Sequence, residues 1–156
     1  MKRLAPELIR SIEDFVAESD LPLPAYALEK DFIVFDAIKL MAQMQPSPHF
    51  RLVFCGGTCL SKAYGILERM PEDVDFKLVP VHANLPGTSA LRKQLSVYAN
   101  SVVAALEAGG FGSEHITRRS LDGNRYTALD VRFASAFGSA SLAFDAPAKL
   151  LRPVPA

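Results

Sequence analysis

The chain has 156 residues, 49% hydrophobic and 22% charged, with seventeen basic residues set against seventeen acidic ones. A chain of this length buries about 70% of the surface it exposes when unfolded, so a single domain over residues 1–156 with a true core is expected. The composition excludes a disordered chain, and the zero formal charge excludes a general electrostatic pull toward nucleic acid or membrane.

No apolar run reaches the ~18 residues of a membrane span. The start, Met1-Lys2-Arg3-Leu4-Ala5-Pro6-Glu7, lacks the apolar centre of a signal peptide. A cytoplasmic protein with no membrane partner is therefore expected. Cys55 and Cys59 stand four apart beside glycines and read as small buried apolar groups, since two cysteines make no disulfide framework.

Leu8, Ile12, Phe15 and Val16 recur at helical spacing, which predicts an amphipathic helix over residues 6–18 with Pro6 in its first turn. Pro22 and Pro24 end it. A second helix is expected over residues 25–45, with Leu28, Phe32, Phe35, Ile38 and Met41 facing the core. Residues 50–55 are apolar, bounded by turn formers, and read as a buried strand. Gly56-Gly57 breaks it, and Thr58 is placed to cap a helix reaching about Glu68. Val74 and Phe76 alternate with Asp73, Asp75 and Lys77, the period of a strand with one wet face. Thr88 or Ser89 is expected to cap a long helix that Gly109-Gly110 closes. Residues 113–120 and 125–133 flank Asp122-Gly123, a hairpin signal. Leu129, Val131 and Phe133 fall on one face of the second strand, Asp130 and Arg132 on the other. The tail from Gly138 is rich in Ala, Ser and Pro and suggests no element. The class is α/β, or α+β, with a small mixed sheet.

The segments that carry chemistry are Phe54 to Lys62 and Glu72 to Phe76. Glycine at a strand end lets backbone approach a ligand, because no Cβ intervenes. A helix starting there offers free amide N–H groups that favour phosphate. Ser61 and Lys62 in its first turn add a hydroxyl and an ammonium. Asp73 and Asp75, two apart on a strand, point to one side and repel unless a cation or proton neutralises them. Magnesium takes such oxygen ligands together with substrate phosphates. Transfer of a nucleoside monophosphate from a nucleoside triphosphate (NTP) follows from that pairing. Taken singly, each signal has a plainer meaning: a turn for Gly-Gly, a solvated strand face for Asp-x-Asp.

In these segments the chain resembles the AbiEii/AbiGii toxins. These are nucleotidyltransferase-like proteins of type IV toxin–antitoxin and abortive-infection systems, related to the DNA polymerase beta superfamily. The family pattern is Glu-Lys-Asp on an early helix, then Phe-x-Gly-Gly-Thr-x-Leu-Ser-Lys-Ala-Tyr, then Arg-Phe-Ser-Glu-Asp-x-Asp-Leu. Here Glu29-Lys30-Asp31, Phe54-Cys55-Gly56-Gly57-Thr58-Cys59-Leu60-Ser61-Lys62-Ala63-Tyr64 and Arg69-Met70-Pro71-Glu72-Asp73-Val74-Asp75-Phe76 follow in the same order. The resemblance spans residues 25–135. It implies a nucleotidyltransferase fold, with Gly56, Gly57, Thr58 and Ser61 at the nucleotide phosphates. Asp73 and Asp75 would hold Mg²⁺ or Mn²⁺, and Lys62 would either contact phosphate or support the turn. Glu29, Lys30 and Asp31 read as a surface helix turn with an internal ion pair, in preference to a role in the site.

Two departures stand out. Met70-Pro71 replaces Phe-Ser before the acidic motif. The family also continues past this length, with a third carboxylate after a Leu-Arg-Pro-like segment. Leu151-Arg152-Pro153 is similar to that lead-in, so a truncated or diverged C-terminus is expected. The third metal ligand is then missing, or is Asp130 or Asp145, with Asp130 the better placed.

His49, His82 and His115 share no metal-ligand spacing and read as surface or loop residues. Arg118, Arg119, Arg125 and Arg132 gather on the hairpin, either as a solvated face or as contacts to a polyanion such as tRNA. The leading expectation is a toxin that transfers a nucleoside monophosphate from an NTP to a tRNA or protein acceptor, restrained by a cognate antitoxin. The competing ones are a non-catalytic nucleotide- or partner-binding remnant of the fold, and a small-molecule nucleotidyltransferase of the antibiotic-modifying type.

Overall fold

A computed structural model describes residues 1–20, 23–65 and 73–138, together with the backbone of residues 147–153. Helix α1 (Pro6–Glu18) opens with Pro6, whose missing N–H costs nothing there, and buries Ile12. Pro22 lies outside the described residues. Helix α2 (Ala25–Ala42) packs against α1 and ends at Gln43.

The buried face of α2 differs from the expected one. Ile33, Val34 and Met41 are buried, Leu28 and Ile38 are partly so, and Phe32 and Phe35 are exposed at 39% and 49%. Apolar side chains surround this helix, so their spacing does not select a face. Lys39 covers one exposed ring, its Nζ lying 5.8 Å from the Phe35 centroid.

Strand β1 (Phe50–Cys55) runs straight into helix α3 (Gly56–Lys62). That helix starts two residues before Thr58 and closes at Lys62, short of Glu68, which lies outside the described residues. Strand β2 (Asp75–Pro80) returns antiparallel to β1 with Cys55 opposite Asp75. Helix α4 (Thr88–Ala108) begins after Gly87 without a side-chain cap from Thr88 or Ser89, and Gly109 closes it. A single 3-10 turn, Ser113–His115, replaces the expected start of the next strand. Strands β3 (Ile116–Leu121) and β4 (Tyr126–Val131) form the hairpin. Its turn carries positive φ at Asp122, Gly123 and Asn124, the conformation Asp-Gly sequences tolerate.

Strand β5 (Pro147–Pro153) lies in the tail where no element was expected. The sheet order is β1-β2-β5-β4-β3, so β5 occupies the centre, parallel to β2 and antiparallel to β4. Prolines stand only at its ends, where a ladder loses least.

Helices α2 and α4 cover one face of this sheet. Leu95, Ala99, Val102 and Leu106 of α4 join Leu78 and Leu129 of the strands in one cluster, each 1% exposed or less. Tyr98 meets Phe50 edge-on with ring centroids 6.0 Å apart. Phe76 lies level with Leu150, and Leu150 with Thr127, so Phe76 and Thr127 share this covered face. Strand alternation then turns Cys55, Asp75, Lys77, Arg119, Leu121, Tyr126 and Asp130 to the opposite face. Among the described residues no helix is long and apolar enough to cross a membrane.

Candidate nucleotide site

The site forms where the β1–α3 junction meets the start of β2. Gly56 has φ +79°, and a Cβ built there would lie 2.8 Å from Asp75 Cβ and 2.9 Å from its carboxyl carbon. Only glycine permits that close approach. Val74 and Phe76 point into the core at 5% exposure each, while Asp73 and Asp75 occupy the alternating, half-buried positions. The hydroxyl of Thr58, itself buried, donates to the Asp73 carbonyl and ties α3 to the segment entering β2. Thr58 therefore acts fifteen residues away in sequence rather than at its own helix start, where no side-chain cap exists. Gly57 and Ser61 are half-buried on the same short helix, and Ser61 is engaged within the chain.

Lys62 donates to Asp31 Oδ2, which joins α3 to α2. Asp31 Oδ1 is buried and has no hydrogen-bond partner among the described residues. Glu29 has no exposed surface. It accepts from the Ser135 hydroxyl and, at 2.7 Å, from the Ala136 N–H. Ser135 Oγ in turn accepts from the N–H groups of Phe137 and Gly138 at 3.2 and 2.8 Å. The Glu29 and Asp31 carboxylates of this turn are thus not surface groups. Its two carboxylates reach outward in opposite senses, one to a distant loop and one to the glycine-turn helix. A fully buried carboxylate persists when donors satisfy it, and both oxygens of Glu29 have one.

Asp130 faces the same side as Asp75 but stands on β4, two strands from β2, roughly 10 Å across the sheet. Arg119 Nη2 binds its Oδ2, and its Oδ1 is buried without a partner among the described residues. Asp145 lies outside the described residues. Among the described residues no three His, Cys, Asp or Glu side chains gather as a metal-binding group. The Asp75 carboxylate at the start of β2 and that of Asp73 just ahead of it fit a hard cation all the same, because magnesium takes one or two carboxylates and completes its shell with phosphate and water.

A cleft of about 750 Å³ opens on this sheet face. Cys55, Gly56, Asp75 and Lys77 line it on the β1–β2 side, and Leu121 and Tyr126 on the β3–β4 side. Burial and the neighbouring Asp75 carboxylate push the Cys55 thiol above its ordinary range, against the opposing charge of Lys77. Cys59 is buried, as a small apolar group would be, and both thiols are free. The sequence places Lys77 on the wet face of β2 but gives it no role in the site, and it does not single out Leu121 or Tyr126, although the alternation that placed Asp130 puts Tyr126 on the same face.

The hairpin arginines are largely spoken for. Arg118 donates to Asn100 Oδ1 at 2.7 Å, Arg119 pairs with Asp130, and Arg125 lies 4.0 Å from Asp122. His49 and His82 are exposed beside a smaller cleft of about 240 Å³, and His115 pairs with Glu114 at 3.0 Å.

No curated protein and no solved structure matches the chain. A family model described as "Nucleotidyl transferase AbiEii toxin, Type IV TA system" matches residues 39–150.

Proposed function

The chain belongs to the AbiEii family of nucleotidyltransferase toxins of type IV toxin–antitoxin systems, and from that premise we propose that it transfers a nucleoside monophosphate from an NTP to a hydroxyl on a tRNA or protein acceptor. The observation that carries this reading is the apposition of Gly56 and Asp75, a side-chain-free backbone set against a carboxylate at the mouth of a cleft.

In the proposed site Asp73 and Asp75 hold Mg²⁺ or Mn²⁺. That ion, when bound, offsets charge on the triphosphate and on the departing pyrophosphate. The turn at Gly56 and Gly57 admits the phosphates to the backbone, and Ser61 donates to them. Thr58 keeps Asp73 in place through its carbonyl. Lys62 supports the turn from Asp31, and an arriving phosphate competes for the same ammonium. The acceptor hydroxyl oxygen bonds to the α-phosphorus and gives up its proton to water as the bond to the pyrophosphate oxygen breaks. A cognate antitoxin, a cytoplasmic setting and a single domain over residues 1–156 belong to the same proposal.

The test is incubation with radiolabelled NTPs, Mg²⁺ or Mn²⁺, and either total tRNA or cell protein. Label transfer by the wild type and its loss in Asp75→Ala are expected. No transfer, or equal transfer by both, overturns the reading. One observation favours the non-catalytic alternative: among the described residues, Asp130 of the opposite hairpin is two strands away and held by Arg119. In that case NTP raises the melting temperature while no label moves.

A further inference from the structure

The cleft is chemically divided. Its β1–β2 side carries the charges, Asp75 and Lys77, among Cys55, Phe76 and bare glycine backbone. Its β3–β4 side is apolar and aromatic, with Tyr126 and Leu121 in direct cross-strand register. Leu121 is 63% exposed, so its side chain is open to a ligand in the cleft it lines with Tyr126. Lys77 pairs with Arg152, after a slip in the β2–β5 ladder, and Tyr126 lies one step along β4 from Thr127, the partner of Leu150, so the two flank β5 within about one residue of the same level. The lateral gap between β2 and β4 is roughly 10 Å, two strand spacings. A 5′-triphosphate seated at Asp75 spans such a gap with its ribose and sets its base over the far side.

We propose that Tyr126 and Leu121 form the nucleobase wall of the site: the base of the NTP stacks on the Tyr126 ring and rests its edge on Leu121. This rests on the nucleotide-binding reading above and adds where the base goes. Base–aromatic stacking depends on the π-face, which all four bases share, so the wall distinguishes a nucleotide from a bare polyphosphate.

The experiment measures binding of ATP and of inorganic tripolyphosphate to the full chain, each with Mg²⁺, by calorimetry. The wild type is expected to favour ATP. Tyr126→Ala is expected to lose roughly tenfold in ATP affinity, the scale of one stacked base, with tripolyphosphate binding unchanged. Tyr126→Phe and Tyr126→Trp keep the preference, because the ring and not the hydroxyl does the stacking. Leu121→Ser, at an exposed position that the fold tolerates, weakens ATP a few-fold and guards against a folding artefact at Tyr126. ATP and tripolyphosphate binding equally well to the wild type overturns the base wall and leaves the phosphate site standing. So does ATP affinity indifferent to Tyr126→Ala and Leu121→Ser. Failure of both ligands to bind overturns the nucleotide site together with its wall.

Discussion

Replacing Gly56 by alanine isolates the contact on which the site is built. Two costs add at this position. The left-handed backbone at φ +79° costs an L-residue about 1–2 kcal/mol. The new methyl also meets Asp75 Cβ at 2.8 Å, and crowding of this kind costs about 1–3 kcal/mol. Gly123 supplies the reference: its φ is +60° and nothing lies within 4 Å of a Cβ there, so Gly123→Ala reports the backbone cost alone. Gly56→Ala is therefore expected to cost about 2–5 kcal/mol, against about 1–2 for Gly123→Ala. At this chain length each kcal/mol lowers the melting temperature by roughly 2–4 °C. Urea unfolding of both variants, repeated in an Asp75→Gly background, closes a double-mutant cycle. With Asp75 trimmed away, Gly56→Ala should fall to the Gly123 value. If the two alanines cost the same in the wild-type background, or if Asp75→Gly leaves the Gly56 penalty unchanged, the close approach does not exist.

Glu29→Ala strips acceptors from the Ser135 hydroxyl and the Ala136 N–H, and should cost about 2–4 kcal/mol by denaturation; a cost under about 1 kcal/mol refutes the buried clamp. The Lys62–Asp31 pair is only partly exposed, so a double-mutant cycle with Lys62→Met and Asp31→Asn should give a coupling of about 1 kcal/mol that shrinks at high salt. A coupling of zero would detach α3 from α2. The raised Cys55 thiol predicts slow alkylation at mildly alkaline pH, since thiolate is the nucleophile. The protonated form favours the fold, so stability contributed by this group is present below the ordinary thiol range and is lost as pH rises through the raised value. Asp75→Asn removes one cause of the upward shift and should speed alkylation a few-fold, while Lys77→Met should slow it. Unaltered rates in both variants would separate Cys55 from Asp75.

The parts of the fold that local chemistry decides were legible in the chain. β1, the glycine turn and the wet alternation of β2 follow from neighbouring residues, and Asp122-Gly123 announces its hairpin because few residues accept that turn. What long-range partners decide was not legible. Phe32 and Phe35 have the spacing of a buried face, yet α2 turns Ile33 and Val34 inward against α4. Glu29 looks like a surface acid because the donors that bury it stand 106 and 107 residues later. Thr58 sits where caps sit, but its hydroxyl serves the strand entry at Asp73. Strand β5 lacks β-branched residues, and its identity comes from ladders on both sides. In the candidate site the carboxylates and the glycine turn were visible in the sequence, while Lys77 and Tyr126 required the register that brings β2 and β4 to either side of β5.

That keystone position has a kinetic consequence. Hairpin β3–β4 closes across a four-residue turn, and β1 can find β2 within the same half of the chain. Neither pair touches the other until the last strand slots between them. Until then, β2 and β4 each present an open edge of unpaired amides and carbonyls, the kind that neighbouring chains seize. Assembly should therefore pass through two preformed halves awaiting a zipper, and a polypeptide halted ahead of Pro147 should clump rather than stay dispersed.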